Sequence, residues 1–163
     1  MKVKRSALQG KDEFVIWDKL TEHVPPYEEG GILKQDTVSS NFCLLSNFYF
    51  QVINGGIVQF IDNASGNYFH ETLAAAAEIN CNALVAVLEE AAMQFPGGTV
   101  PADFNLRRNL WDEMTRSHTI KGEEYDIVEE KWEQLWESFD RRFMDNESIF
   151  LQQIIEYLKK YAM

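Results

Sequence analysis

The chain has 163 residues, of which 45% are hydrophobic and 13% aromatic, so it can fold around a substantial core and is too apolar to be disordered. Its formal net charge is −11, and no apolar run approaches the roughly 20 residues that span a bilayer. An acidic chain repels nucleic acid and anionic membranes, so the composition predicts no direct binding to either. The expected partners are cations or basic protein surfaces, unless the acidity serves only solubility.

The charge is distributed unevenly along the chain. Residues 1–11 hold four basic residues and no acid: Lys2, Lys4, Arg5 and Lys11. We predict a basic N-terminal lead-in followed by one helical domain over residues 12–163. The lead-in has no apolar stretch behind it, unlike a secretory signal. Cys43 and Cys81 lie in separate hydrophobic segments without paired spacing, which is typical of a reduced, cytoplasmic protein.

The first two elements read as helices. Apolar spacing predicts a helix over about residues 12–24, which Pro25-Pro26 ends. Asp36 and Thr37 can cap a second helix over about residues 38–53. This second helix is apolar on most of its faces, which places it in the middle of the core.

The second helix runs into Asn54-Gly55-Gly56, and two structures compete there. An Asn-Gly pair between apolar runs is a strong signal for a β-hairpin, and the flanking segments FYFQVI and IVQFID have suitable patterns. However, the sequence offers no third strand, and a lone hairpin is marginal in water. A glycine at a helix end supplies the positive φ that helix termination favours. We therefore predict a helix, a break, and a short helix over residues 57–61.

The remaining segments also have helical periodicity. We predict that Asp103 caps one of these helices, and that this helix buries Leu106, Leu110 and Met114. The remaining helices are predicted over about residues 67–79, 82–95, 103–116, 123–144 and 148–161. The predicted fold is all-α: a single compact multi-helix domain with a central buried helix and a long acidic amphipathic helix near the C-terminus.

The long helix carries a row of carboxylates. Residues 123–147 hold ten acids and three bases. Steps of four, three, four and three residues put five of these acids on one helix face: Asp126, Glu130, Glu133, Glu137 and Asp140. At about 1.5 Å rise per residue they are roughly 5 Å apart, comparable to the ~3.4 Å advance per phosphate along one DNA strand. The row predicts either a surface for a protein that grips DNA phosphates or a merely solvated face.

Polar residues surround the Asn-Gly-Gly break. They are Asn54, Gln59, Asn63, Asn67, His70, Glu71 and Thr72. They either satisfy the exposed helix ends or form a small-ligand pocket around Asn54, Gln59, Asn63 and Glu71. A phosphate-binding loop is disfavoured, because the segment has neither a preceding strand nor a lysine.

The sequence contains no recognisable catalytic or metal-binding motif. His23, His70 and His118 lack the spacing of metal ligands, and no nucleophile elbow, Walker motif or dinucleotide-binding motif occurs. We therefore predict no catalytic residue, no metal site and no cofactor, and nothing in the sequence calls for an enzyme.

Residues 54–72 read NGG..QF..N.SG.Y..ET, which resembles the signature of the DNA mimic protein 19 family. The residues that carry this likeness are Asn54, Gly55, Gly56, Gln59, Phe60, Asn63, Ser65, Gly66, Tyr68, Glu71 and Thr72. The likeness extends over about residues 36–163, and the chain departs from it at Ile57 and Ile61, where the family more often has aromatics. The resemblance implies a helical fold and a homodimer. It also implies the role of the family's name-giving member, an acidic protein that imitates double-stranded DNA and binds a helix-turn-helix transcription factor.

We therefore expect an acidic binding protein that occupies the DNA-binding surface of a transcription factor or another nucleic-acid-binding protein. Two alternatives stay open. One is a small-ligand protein or enzyme with a pocket at the Asn-Gly-Gly segment. The other is an immunity-type or antitoxin-like inhibitor of a basic nuclease. In the leading interpretation, the signature residues build the fold and the acidic row contacts the partner.

Overall fold

The structure, a computed structural model, describes residues 8–10, 12–21, 36–119 and 125–161, apart from the side chains of residues 117–119 and 125–129. Within these ranges the chain forms seven α-helices and no strand, which confirms the predicted all-α fold. The helices are α1 (Glu13–Thr21), α2 (Thr37–Asp62), α3 (Phe69–Glu78), α4 (Asn82–Ala92), α5 (Phe104–Thr119), α6 (Tyr125–Met144) and α7 (Glu147–Tyr161). Most of the basic lead-in and the end of the first predicted helix lie outside the described residues.

Helix α2 lies at the centre of the fold. Asp36 caps it, because the Asp36 carboxylate accepts a hydrogen bond from Ser39 N at 3.0 Å. Phe48 in its middle is fully buried, with its ring centroid 5.1 Å from that of Phe143 on α6. Helices α3, α6 and α7 all pack against α2. The central buried helix is therefore where the sequence places it.

The Asn-Gly-Gly segment breaks α2 as predicted, and the chain folds back there. Gly56 has a φ of 75°. Beyond it, Asn63 Nδ2 donates a hydrogen bond to Gln51 Oε1 at 2.7 Å, although these residues are 12 apart in sequence. In a straight helix, residues that far apart are separated by about 18 Å along the axis. We call residues 54–57 the α2 bend.

Helix α6 is held against α5 by an aromatic cluster. The Trp136 ring lies 4.9 Å from Trp111 of α5 and 5.3 Å from Phe139, measured between centroids. Trp132 packs edge-on against Trp136 at 5.7 Å. These large side chains fix one face of α6 against α5. Helices α2 and α4 also pack against α6, and the remaining face is left to the solvent.

Two predictions for the helices need correction. The helix predicted to begin near residue 67 begins at Phe69, because Ala64–Tyr68 forms a 3₁₀ turn first. Asp103 caps α5 as expected, accepting from Leu106 N at 2.7 Å. Leu106, however, is 51% exposed, and its neighbour Arg107 is the buried residue, at 1%.

Among the described residues, none of the helices combines the length and the apolar character that a membrane span requires.

Candidate functional site

The predicted acidic row lies mainly on the solvent side of α6. Glu130, Glu133 and Glu137 are exposed, and we call these three residues the acidic face. Glu133 and Glu137 have no hydrogen bond or ion pair among the described residues, and Glu130 accepts only from Gln134 Nε2, at 3.0 Å. The side chain of Asp126 lies outside the described residues. The acidic face therefore presents three exposed carboxylates that pair with no basic side chain among the described residues.

One of the basic residues on α6 is held away from the acidic face. Arg142 donates two hydrogen bonds to the Glu90 carboxylate of α4, at 2.5 and 2.9 Å. This pairing lowers the pKa of Glu90 and raises that of Arg142. Both side chains are substantially exposed, so the pair contributes little stability. The pair instead orients Arg142, because it holds the guanidinium on the α4 side of the helix, away from the acidic face.

Asp140, the last residue of the predicted row, is placed differently. It is half-buried, and its Oδ1 accepts a hydrogen bond from Ile57 N at 2.7 Å. It thereby caps the second half of α2 from another helix. A Cβ at Gly56 would overlap its carboxylate, so the glycine is required for the approach. Asp140 is engaged with the α2 bend, and the acidic face ends at Glu137.

The environment of Asp140 shifts its ionisation. Burial raises the pKa of Asp140, the hydrogen bond from Ile57 N lowers it, and the negative charge of Glu137 raises it, with a net upward shift. A carboxyl group whose pKa is raised by folding stabilises the fold most when it is protonated, and this contribution is lost as pH rises through the folded pKa.

The effect on stability of replacing Asp140 with asparagine should therefore depend on pH. Asparagine keeps an oxygen acceptor for Ile57 N but does not titrate. The free energy of unfolding of the wild type, relative to Asp140→Asn, is expected to fall as pH rises from below the ordinary value of 3.8 to neutral. Urea unfolding of both proteins across this range measures the difference. A difference that is constant or increases with pH would contradict the assignment.

Several signature residues build the α2 bend. Gln59 packs directly over Gly55, where any Cβ would displace its carboxamide. Gln59 Nε2 then donates to Gln51 Oε1 at 2.9 Å, the same oxygen that accepts from Asn63. Asn54 instead donates to Phe50 O within its own helix, at 2.8 Å. The two bonds to Gln51 connect the two halves of α2 on the side of the bend marked by Gly55.

Asn63 and Gly66 of the signature adjoin a buried arginine that the sequence pattern did not single out. Arg107 Nε donates to Ile61 O at 2.6 Å, and its Nη2 donates to Asn63 O and to Asn67 Oδ1, both at 3.0 Å. Its Nη1 donates to Pro101 O at 2.7 Å. Arg107 thus satisfies carbonyls at the C-terminal end of α2, where a positive charge is favourable.

Gly66 makes room for this arginine. A Cβ at Gly66 would overlap Ile61 O and lie 2.8 Å from Arg107 Nε. The third glycine of the signature is therefore explained by a side chain 41 positions further along the chain. The sequence does contain a sign of this buried arginine. Arg107 stands three residues before Leu110 and seven before Met114, a spacing that puts a charged residue on the inward face of the helix.

The family assignment follows from the sequence comparison. Residues 37–161 match the model of the family described as DMP19-like protein, from the first residue of α2 to the last of α7. The chain belongs to the DNA mimic protein 19 family. No curated protein and no solved structure matches it.

In this member of the DNA mimic protein 19 family, the residues proposed for a ligand pocket come together only in part. Gln59 and Asn63 meet through Gln51, whereas Glu71 is half-buried on α3 and, among the described side chains, bonds to none of the other three. Thr72 is buried on α3, and Phe60 packs 5.0 Å from Phe48, centroid to centroid. An open depression of about 290 Å³ lies beside Gln51, lined by Asn47, Gln51, Asn63, Ala64 and Ser65.

The described residues contain no cluster of three or more His, Cys, Asp or Glu side chains that could hold a metal ion. Cys43 and Cys81 are buried thiols, and burial raises the pKa of Cys81, which makes it a poor nucleophile. His70 Nε2 lies 2.9 Å from Val100 O. His23 and the side chain of His118 lie outside the described residues.

Proposed function

We propose that this protein binds a basic, nucleic-acid-binding protein through the acidic face of α6 and thereby occupies the surface that this partner uses for DNA. The main support for this proposal is that Glu130, Glu133 and Glu137 are exposed and have no basic partner among the described residues. A transcription factor is the partner class that the family membership favours. The remaining member of the row with a described side chain, Asp140, positions α6 against α2 and is not part of the proposed contact.

The electrostatics of α6 support this proposal. Like charges at spacings of three and four residues destabilise an isolated helix by a few tenths of a kcal/mol per pair. A basic partner would relieve this repulsion on binding. The carboxylates also repeat at roughly 5 Å along a rigid helix, so they can meet lysine and arginine side chains arranged for a phosphate backbone. Such contacts mainly increase the association rate and select partners by charge.

The experiment is affinity capture from the source lysate at low and high salt, with identification of the eluted protein. A basic DNA-binding protein released by salt supports the proposal, because exposed charges are screened over about 10 Å at 0.1 M salt. A captured nuclease would identify an inhibitor that uses the same face. If high salt releases no captured protein, the proposal is overturned.

A charge-neutralising variant tests the face itself. Exposed ion pairs contribute ~0.2–1 kcal/mol each, so replacing Glu130, Glu133 and Glu137 together with glutamine should weaken binding of the captured protein roughly tenfold. The triple replacement with lysine should abolish it. Stability should be unchanged or slightly higher, because glutamine is a good helix former and the repulsion is removed. Binding is measured by titration and stability by thermal unfolding.

The matched control removes three charges elsewhere. Glu78, Glu89 and Glu156 are exposed on α3, α4 and α7, and their replacement with glutamine should leave binding close to wild type. If this control weakens binding as much as the α6 variant, the effect follows net charge, and the acidic face is not the contact.

The homodimer implied by the family resemblance is part of the same proposal. Two copies related by a two-fold axis would present two acidic faces, which suits a dimeric regulator that reads two half-sites. Sedimentation analysis should give twice the mass of one chain. A single-chain mass at micromolar concentration would contradict the dimer and leave the contact through α6 standing.

A further inference from the structure

We propose that the amide-lined depression beside Gln51, between the two halves of α2, receives an asparagine or glutamine side chain of the same partner, and imitates the edge of an adenine base. This inference rests on the proposed function. It assigns a second, uncharged contact that recognises the base-reading side chains of the partner, whereas the acidic face meets the side chains that bind phosphates.

The depression presents hydrogen-bonding groups that the described part of the fold leaves unused. Gln51 Oε1 accepts from both Gln59 and Asn63, so the oxygen is occupied and the carboxamide is held in place. Gln51 Nε2 and Asn63 Oδ1 have no partner among the described residues, and neither has the carboxamide of Asn47. The hydrogen bonds hold the Gln51 and Asn63 carboxamides in place before binding, which lowers the entropic cost of recognition by these two groups.

The lining determines what kind of group fits. Every polar side chain that lines the depression is uncharged, so a carboxylate, phosphate or ammonium would find no opposite charge there. Its volume of about 290 Å³ lies at the lower limit of small-molecule pockets, which are ~300–1,000 Å³ and mostly apolar. An open, polar depression of this size suits a single side chain presented by a protein better than a free metabolite.

Carboxamide chemistry connects this site to DNA recognition. The major-groove edge of adenine offers a donor beside an acceptor, and proteins read it with a bidentate asparagine or glutamine. A carboxamide such as that of Asn47 offers the same donor–acceptor pair. A partner side chain that reads adenine can therefore form an equivalent pair of hydrogen bonds here without changing its own chemistry.

The depression and the acidic face are joined through the α2 bend. Gln59 packs over Gly55, and Asp140 packs over the next residue, Gly56. Asp140 lies one helical turn beyond Glu137, the end of the acidic face. The two adjacent glycines thus connect the amide network to α6, and the inference requires a partner that extends from the end of the acidic face across the bend to the depression.

Site-specific photocrosslinking tests the placement. A photoreactive amino acid at position 47 should crosslink, in the source lysate, to the same protein that a probe at position 133 captures, and within its DNA-reading segment. A probe at position 82 is the control, because Asn82 is exposed at the start of α4, outside the depression. Crosslinking from position 133 without crosslinking from position 47 would overturn this inference and leave the proposed function standing. Failure at both positions would overturn both.

An affinity measurement tests the chemistry. A bidentate carboxamide contact discriminates between partners, so Asn47→Ala should weaken binding of the captured protein about tenfold. The dependence of affinity on salt should stay as in the wild type, because no charge is removed, whereas the glutamine variant of the acidic face should flatten it. Asn82→Ala should bind like the wild type. Asn47→Ser replaces Asn47→Ala if the latter loses stability, and wild-type affinity in a stable Asn47 variant would refute the contact.

Discussion

Arg107→Ala is expected to lower the free energy of unfolding by about 4 kcal/mol, a large part of the 5–15 kcal/mol typical of a domain. Arg107 is 1% exposed and donates to carbonyls of Ile61, Asn63 and Pro101. Alanine would leave the buried Ile61 carbonyl and the partly buried Pro101 carbonyl without this donor, and it would open a cavity of the size of the side chain. Urea unfolding followed by tryptophan fluorescence measures the loss, because Trp111 lies one turn along the same helix.

The neighbouring arginine provides a matched control. The Arg108 guanidinium lies 5.8 Å from the Phe104 ring centroid, the same distance as that of Arg107, but Arg108 is exposed. Arg108→Ala should change the free energy of unfolding by less than about 1 kcal/mol. Arg107→Lys should fall between the two, because lysine keeps the charge but lacks the planar fork that reaches several carbonyls at once. Equal effects of the two alanine variants would refute the role assigned to Arg107.

Periodicity was sufficient to predict the helices and the break in α2, but it could not predict how the bend is held. The alternation of apolar and polar residues reports which face of a helix is buried, and it contains no information on distant partners. Ile57 is capped by a residue 83 positions away, and Ile61 by one 46 positions away. For the same reason, the sequence explained Gly56 by its positive φ alone and missed the close approach of Asp140.

The candidate contact surface shows a similar limit. Helical spacing correctly put Glu130, Glu133 and Glu137 on one exposed face. It also included Asp140, which is turned only about 20° around the helix from Glu133 towards Trp136 but lies about two turns further along the axis. Asp140 therefore lies closer to the buried side marked by Trp136 and reaches α2. The amide network at Gln51 was missed entirely, since its members become neighbours only when the chain folds back.

The contact between Gly56 and Asp140 gives the second large effect. Gly56 has φ 75° and ψ −179°, a conformation that is essentially confined to glycine, so an alanine there costs ~1–3 kcal/mol in the backbone alone. The new Cβ would also overlap the Asp140 carboxylate and push it from Ile57 N. We expect Gly56→Ala to lower the free energy of unfolding by about 3–4 kcal/mol when an overpacking cost of ~1–3 kcal/mol is included.

Three further variants separate the backbone cost from the contact with Asp140. Gly97 has φ 72°, and no described atom lies within 4 Å of the position that a methyl group would take there, so Gly97→Ala should cost only about 1 kcal/mol. Asp140→Ala alone removes the cap, for about 1 kcal/mol. In the double variant of Gly56 and Asp140 the overlap is gone, so its destabilisation should be smaller than the sum of the two single effects by at least about 1 kcal/mol. Additive effects would mean that the methyl group at position 56 and the Asp140 carboxylate do not meet. In that case the surrounding aromatic core alone would position α6 against the α2 bend.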